Sequence, residues 1–169
     1  MGLLHIYCGD GKGKTTASLG LAIRAAGAGM KVCFVQFAKG GETSEHDSLK
    51  LIPNITVVRC DRKYGFYNEM TDSDKKEITL NHNKLIDLAF KSDTDMIILD
   101  EFNFVYEYGL IDKNTAKQLI LNGKANKEII LTGRNPAEVF ISAADYISEI
   151  KAVKHPYDKG ITARKGIEY

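Results

Sequence analysis

A chain of 169 residues that is 44% hydrophobic and 27% charged is long enough to bury one sizeable core and polar enough for water. Its formal net charge of +1 supplies no broad field for nucleic acid or an anionic membrane, so a polyanionic ligand needs a local site. No apolar run approaches membrane-spanning length, Met1–Cys8 is too short for a signal sequence, and Ile6 stands where myristoylation needs Ser or Thr. Cys8, Cys33 and Cys60 lie in or beside apolar runs without a C-x-x-C pair, which suits buried thiols in a reducing compartment rather than zinc. The expectation is a cytoplasmic protein with a single domain over residues 1–169.

The first apolar run, Leu3 to Cys8, reads as a strand. It feeds Gly9-Asp10-Gly11-Lys12-Gly13-Lys14-Thr15-Thr16, which opens a helical pattern over Ala17 to Ala26 whose small residues suit close packing on a sheet. Lys31 to Phe37 reads as a second strand, and the polar Lys39 to Lys50 as a loop or short surface helix. Ile55 to Arg59 is a weaker third strand, followed from Asp61 to Met70 by a loop carrying Tyr64, Phe66 and Tyr67. Thr71 or Asp72 caps a helix to about Lys91; Met96 to Leu99 is a fourth strand, ending in Asp100-Glu101. Asp112 caps a helix closed by Gly123, and Glu128 to Thr132 is a fifth strand. Asn135-Pro136-Ala137-Glu138 has the form of a capped helix start, Tyr146 to Val153 that of a final strand, and Lys154 to Tyr169 that of an irregular tail. Strands alternating with helices predict an α/β fold, a doubly wound and mainly parallel sheet of about six strands. Ligands bind such sheets at the carboxyl ends of the strands, where the glycine-rich loop, Gln36, Asp100-Glu101 and Thr132-Gly133-Arg134 converge.

Strand, glycine-rich turn and helix together make a phosphate-binding loop. Successive backbone N–H groups face one concavity, the helix N-terminus adds positive partial charge, and glycine lets an anion approach the backbone. Lys14 reaches terminal phosphates and Thr15 offers a hydroxyl to Mg²⁺. The usual G-x-x-x-x-G-K-[ST] form puts glycine at position 8, where Cys8 stands; the first glycine comes one residue late, at Gly9. Asp100 and Glu101 form a Walker-B-like end to an apolar run, placed to hold Mg²⁺ directly or through water. Arg134 either clamps phosphate or pairs with an acid; Arg24, three turns into the helix, reads on its own as a surface arginine, and His155 as a structural histidine in an ordered loop. These motifs reach an Mg-ATP-binding α/β protein and stop.

Several pieces resemble one family, the ATP:corrinoid adenosyltransferases of cobalamin biosynthesis and salvage. They are the loop with its displaced first glycine, Arg24-Ala25-Ala26-Gly27, Val35-Gln36-Phe37 with Lys39-Gly40, Leu99-Asp100-Glu101 with Asn103, Leu131 to Asn135, and the tail from Val153-Lys154-His155-Pro156-Tyr157 through Gly160-Ile161 to Gly166-Ile167-Glu168-Tyr169. The resemblance covers nearly the whole chain. It implies a P-loop NTPase (RecA-like) fold and a transferase in which the Co(I) of a corrinoid attacks the 5′ carbon of ATP and triphosphate leaves in one piece. It implies ATP lying reversed, with the γ-phosphate where the β-phosphate usually sits. Gly9, Asp10, Gly11, Lys12, Gly13, Lys14, Thr15, Thr16, Arg24 and Arg134 would bind the nucleotide; Thr15, Asp100 and Glu101 would serve Mg²⁺; Lys14 and Phe66 would act in catalysis. Phe66 matches an aromatic that excludes the lower axial ligand of cobalt and so eases reduction. The family's tryptophan two residues on is replaced by Asn68 in a chain with no Trp, leaving Tyr67 or Tyr64 as its substitute. A flavin-type electron donor and a homodimer are further implications. The alternatives are a P-loop kinase of a small metabolite, disfavoured by the scarcity of arginines in residues 39–50, and an ATP-binding regulatory module.

Overall fold

The computed structural model describes residues 1–38 and 43–168; Lys39, Gly40, Gly41 and Tyr169, which carry parts of the sequence expectations, lie outside the described residues. Five-residue apolar runs form the strands: β1 (Leu4–Cys8), β2 (Val32–Gln36), β3 (Ile55–Arg59), β4 (Met96–Asp100) and β5 (Glu128–Thr132), with β6 (Tyr146–Glu149) shorter. They form one sheet in the order β3-β2-β4-β5-β1-β6, every pair parallel. One strand, β5, thus separates the strand before the phosphate loop from the strand ending in Asp100, the RecA-like arrangement of a P-loop NTPase.

Period-two alternation sends successive side chains of each strand to opposite faces. On one face Phe34, Ile98 and Ile130 meet the small residues Ala22, Ala25 and Ala26 of α1 (Lys14–Gly27), together with Leu49 of α2 (Ser44–Leu49). On the other, Ile6, Val35, Leu99 and Leu131 meet α3 (Asp72–Lys91), α4 (Phe102–Glu107), α5 (Lys113–Gly123) and α6 (Glu138–Ile141). Each fully buried Ile, Leu or Phe contributes roughly 1.5–3 kcal/mol, so the two layers hold the strand ends rigidly.

Local signals acted largely as the sequence predicts. Thr71 caps α3 in a reciprocal box with Asp74, and Asp112 caps α5 through the Thr115 N–H at 2.7 Å. Three expectations need correction. Asn135-Pro136 does not start α6, which begins at Glu138; Asn135 Nδ2 instead donates to the Glu107 carboxylate at 3.2 Å. The final strand stops at Glu149, because the Ile150 carbonyl turns to accept the Gly11 N–H at 2.8 Å. An additional helix, α4, follows Glu101 directly.

Candidate active site

The phosphate loop lies where β1 ends. Gly9 (φ 96°) and Gly13 (φ 119°) take left-handed conformations that glycine adopts without strain. At Gly11 close packing decides: an added Cβ would lie 2.7 Å from the Ile150 carbonyl oxygen. The loop is pinned from behind by Gly9 N–H to the Arg134 carbonyl (3.3 Å), Gly11 N–H to Ile150, and Ala152 N–H to Asp10 Oδ1 (3.2 Å). Asp10 therefore acts on the loop's shape; the Ala152 N–H and its own N–H hold its carboxyl below the usual range. Lys14 starts α1 and donates to the Gly11 carbonyl at 2.7 Å across its own loop. Burial pushes the Lys14 ammonium down, and nearby Glu101 opposes that.

The carboxylates follow from β4. Asp100 is fully buried, and its Oδ1 accepts from Thr15 Oγ1 at 2.9 Å and from Thr132 Oγ1 at 2.8 Å. Thr132 in turn accepts the Glu101 N–H at 2.9 Å. Glu101 has φ 59°, a left-handed conformation that a side chain makes costly, of order 1–3 kcal/mol. The Thr132 hydroxyl thus holds both acids, one buried under the loop and one at the rim. Asn103, at the start of α4, donates to the Gly133 carbonyl at 3.1 Å, and a Cβ on Gly133 would meet Asn103 Cβ at 2.7 Å. That contact fastens α4 to the end of β5.

Several cavities border the loop, and two reach from it towards α4 and α2. One, of about 590 Å³, brings Lys12, Lys14, Glu101, Arg134 and His155 against Phe104 of α4 and Tyr108 just past its end. Tyr67 packs on this wall, its ring centroid 4.6 Å from Tyr108 and 6.3 Å from Phe104. Tyr64 turns away to α3, accepting from Asn81 Nδ2 at 2.5 Å and donating to Glu77 at 3.3 Å. Phe66 is 79% exposed. The other cavity, about 480 Å³, opens between α1 and α2 under the tail.

The rim therefore gathers the loop, Thr15, Asp100, Glu101 and Arg134. Arg24 stays outside it: exposed on α1, ten residues past Lys14 and so about 15 Å along the helix axis. Thr132, which bonds the Asp100 carboxylate and the Glu101 backbone N–H, and the wall of Phe104 and Tyr108 belong to no sequence motif. Thr132 was detectable as the only hydroxyl at the end of β5, level with Asp100. His155 accepts the Tyr157 N–H through Nδ1 (3.2 Å) in its own loop and reaches the cavity.

A family model for the ATP:corrinoid adenosyltransferases BtuR/CobO/CobP matches residues 1–169. The chain belongs to that family. It is 32% identical to the corrinoid adenosyltransferase of Escherichia coli K12 over 171 residues, covering 99% of this chain and 86% of that protein. Identity to the corrinoid adenosyltransferase of Pseudomonas aeruginosa is likewise 32%, over 99% of this chain and 84% of the relative. The corrinoid adenosyltransferase CobA of Salmonella typhimurium is 31% identical over 99% of this chain and 86% of its own length. The adenosyltransferase activity follows: a transferase that moves the adenosyl group of ATP to a corrinoid. Among the described residues no helix is long and apolar enough to cross a membrane.

Proposed function

We propose that the loop grips the triphosphate of ATP and thereby frees the ribose 5′ carbon for attack by Co(I) of a corrinoid substrate. The convergence of Thr15 and Thr132 on Asp100 at the mouth of a lysine-bearing phosphate loop carries this reading. Lys12, Lys14, Thr15, Thr16 and the amides of Gly9 to Gly13 bind the phosphates, and Arg134 adds charge from β5. As Co(I) donates its electron pair to C5′, the C–O bond to the α-phosphate breaks and the pair leaves on triphosphate. Preorganised donors stabilise that developing charge, Lys14 most directly. No general base is required, because no proton is removed.

The donor set suits Mg²⁺. Thr15 gives its proton to Asp100, which leaves its oxygen lone pairs for a cation; both groups are hard oxygen donors. Substrate phosphates and water would complete the shell, the usual arrangement for Mg²⁺. Bound there, Mg²⁺ supplies charge neutralisation to the leaving triphosphate. Glu101 stands at the rim for a water of that shell.

Phe66 and the aromatic wall of Tyr67, Tyr108 and Phe104 take the corrin side. The reading assigns Tyr67, rather than Tyr64, to the role of the missing tryptophan at Asn68. These rings exclude the lower axial ligand, which makes Co(II) easier to reduce by a flavin-type donor in the cytoplasm. A homodimer is part of the same reading, and it is the arrangement in which exposed Arg24 would approach a nucleotide. The test is phosphorus NMR of an anaerobic reaction with reduced corrinoid: adenosylcorrinoid and free triphosphate are expected. ADP as the nucleotide product contradicts the reading and favours a kinase.

A further inference from the structure

Gln36, the last residue of β2, is 1% exposed, and the chemistry described so far leaves it unused. Its neighbours in register are Arg59 of β3 and Asp100 of β4. Two residues earlier on their strands, Phe34 and Ile98 pack against α1, so period-two alternation turns Gln36 and Asp100 to that same face. A polar row thus crosses the carboxyl ends of the strands, from Arg59 through Gln36 and Asp100 to Thr132.

The orientation of the Gln36 amide follows from its partner. Nε2 donates to Glu45 Oε1 of α2 at 3.3 Å. A carboxylate only accepts, so the NH₂ group faces Glu45 and the carbonyl oxygen points elsewhere. That oxygen, Oε1, is buried and has no hydrogen-bond partner among the described residues. Buried acceptors are rarely left open. Arg59, the cation next to it in register, is turned to His46 through Nη1 and to Asp61 through Nε at 3.1 Å. The Mg²⁺ site beside it has donors to offer. Thr15, which binds Asp100, lines the same cavity of about 480 Å³ as Glu45, so the space at the metal site is continuous with the partner of Gln36. Mg²⁺ keeps several waters of its shell, and a water bound to a dication is a strong donor.

We propose that Gln36 is a positioning residue for this cation: its Oε1 accepts a hydrogen bond from a water of the Mg²⁺ shell, while Glu45 holds the amide the right way round. Gln36 touches neither ATP nor cobalt. It acts through the water, and it ties the metal to β2 and α2 as Thr132 ties Asp100 to β5. This deepens the adenosyltransferase reading and rests on its metal site at Thr15 and Asp100.

Isothermal titration of ATP without corrinoid, first in EDTA and then across a Mg²⁺ series, isolates the metal's share of binding. Gln36→Met keeps the length of the side chain and removes the amide. It leaves metal-free ATP affinity within about twofold and raises the Mg²⁺ concentration at half-effect about tenfold, the scale of one hydrogen bond to a charged group. Gln36→Glu, which keeps an acceptor oxygen, brings the Mg²⁺ requirement back to within about threefold of the parent. The unaltered protein, whose folding is not in question, gives a direct reading. The chain has two glutamines, Gln36 and Gln118, and Gln118 is exposed, so carbon-13 NMR of a glutamine-labelled sample resolves the Gln36 side-chain carbonyl once Gln118→Ala removes the other signal. That carbonyl signal moves on adding Mg²⁺ to the ATP complex. A Gln36 signal that ignores Mg²⁺, an unchanged Mg²⁺ requirement in Gln36→Met, or an equal loss of ATP affinity with and without metal overturns the proposal. Asp100→Asn weakens the Mg²⁺ response in any case; if it does not, the metal site at Thr15 and Asp100 fails independently of Gln36.

Discussion

Thr132→Val removes one hydroxyl and keeps the β-branched shape that β5 packs. That hydroxyl donates to buried Asp100 at 2.8 Å and accepts the Glu101 N–H at 2.9 Å. Losing a donor to a charged carboxylate costs roughly 1.5–3 kcal/mol, and stranding an N–H roughly 1–3 kcal/mol. Glu101 is only partly buried, so water recovers some of the second term, and the expected total is about 3 kcal/mol. For a chain of this size that lowers the melting temperature by about 6–12 °C. Urea denaturation of Thr132→Val and Thr132→Ser checks the figure, with Ser staying within about 1 kcal/mol of the parent because it keeps the hydroxyl. The same variants report on function: with Asp100 less firmly held, the gain in ATP affinity on adding Mg²⁺ shrinks in Val and persists in Ser. A Val variant that loses less than about 1 kcal/mol and keeps its full Mg²⁺ response refutes the claim that Thr132 organises the two acids.

His82 of α3 offers a pH test. It is buried, its Nδ1–H donates to the Leu110 carbonyl at 2.8 Å, and its Nε2 accepts the Ala38 N–H at 3.3 Å. Burial pushes its pKa down to about 4 from an ordinary 6.5, so the folded protein holds it neutral while the unfolded chain protonates first. Its contribution is present above pH 6.5 and is lost as pH falls towards 4; by linkage it amounts to roughly 3 kcal/mol, and unfolding curves of His82→Gln lack that slope. If the variant and the parent lose stability in parallel over this range, His82 is not the titrating group. Phe66→Ala leaves stability within about 0.5 kcal/mol, as expected of an exposed ring that makes no capping bond and lies outside the core. It diminishes the four-coordinate Co(II) signal of bound corrinoid with ATP present; an undiminished signal removes Phe66 from cobalt activation.

The phosphate loop was legible because its chemistry is local. Glycines, lysines and threonines at fixed spacing between a strand and a helix have few other uses. Parallel order followed from apolar runs of strand length alternating with helical periods. The paired acids were legible as an end to β4, but their division of labour was not: Asp100 is buried and Glu101 left-handed because of a hydroxyl 31 residues beyond Glu101, on another strand. α4 escaped because Phe102–Glu107 is one short turn-rich helix without a period to read. The Asn135-Pro136 start misled because Glu107 captured the Asn135 side chain, a tertiary partner outbidding a local cap. The course of the chain after β6 beside the loop depends on the Gly11–Ile150 and Asp10–Ala152 hydrogen bonds, contacts that no local pattern encodes.

The central claim is that adenosyl transfer breaks the bond between C5′ and the α-phosphate and leaves every phosphoanhydride intact. Replacing the bridging β,γ oxygen of ATP with an imido group tests this directly, because it blocks phosphoryl transfer and leaves C5′ untouched. With chemically reduced corrinoid, the imido analogue is expected to yield adenosylcorrinoid and intact imidotriphosphate. Turnover of ATP with none of the analogue, accompanied by ADP, would contradict the account.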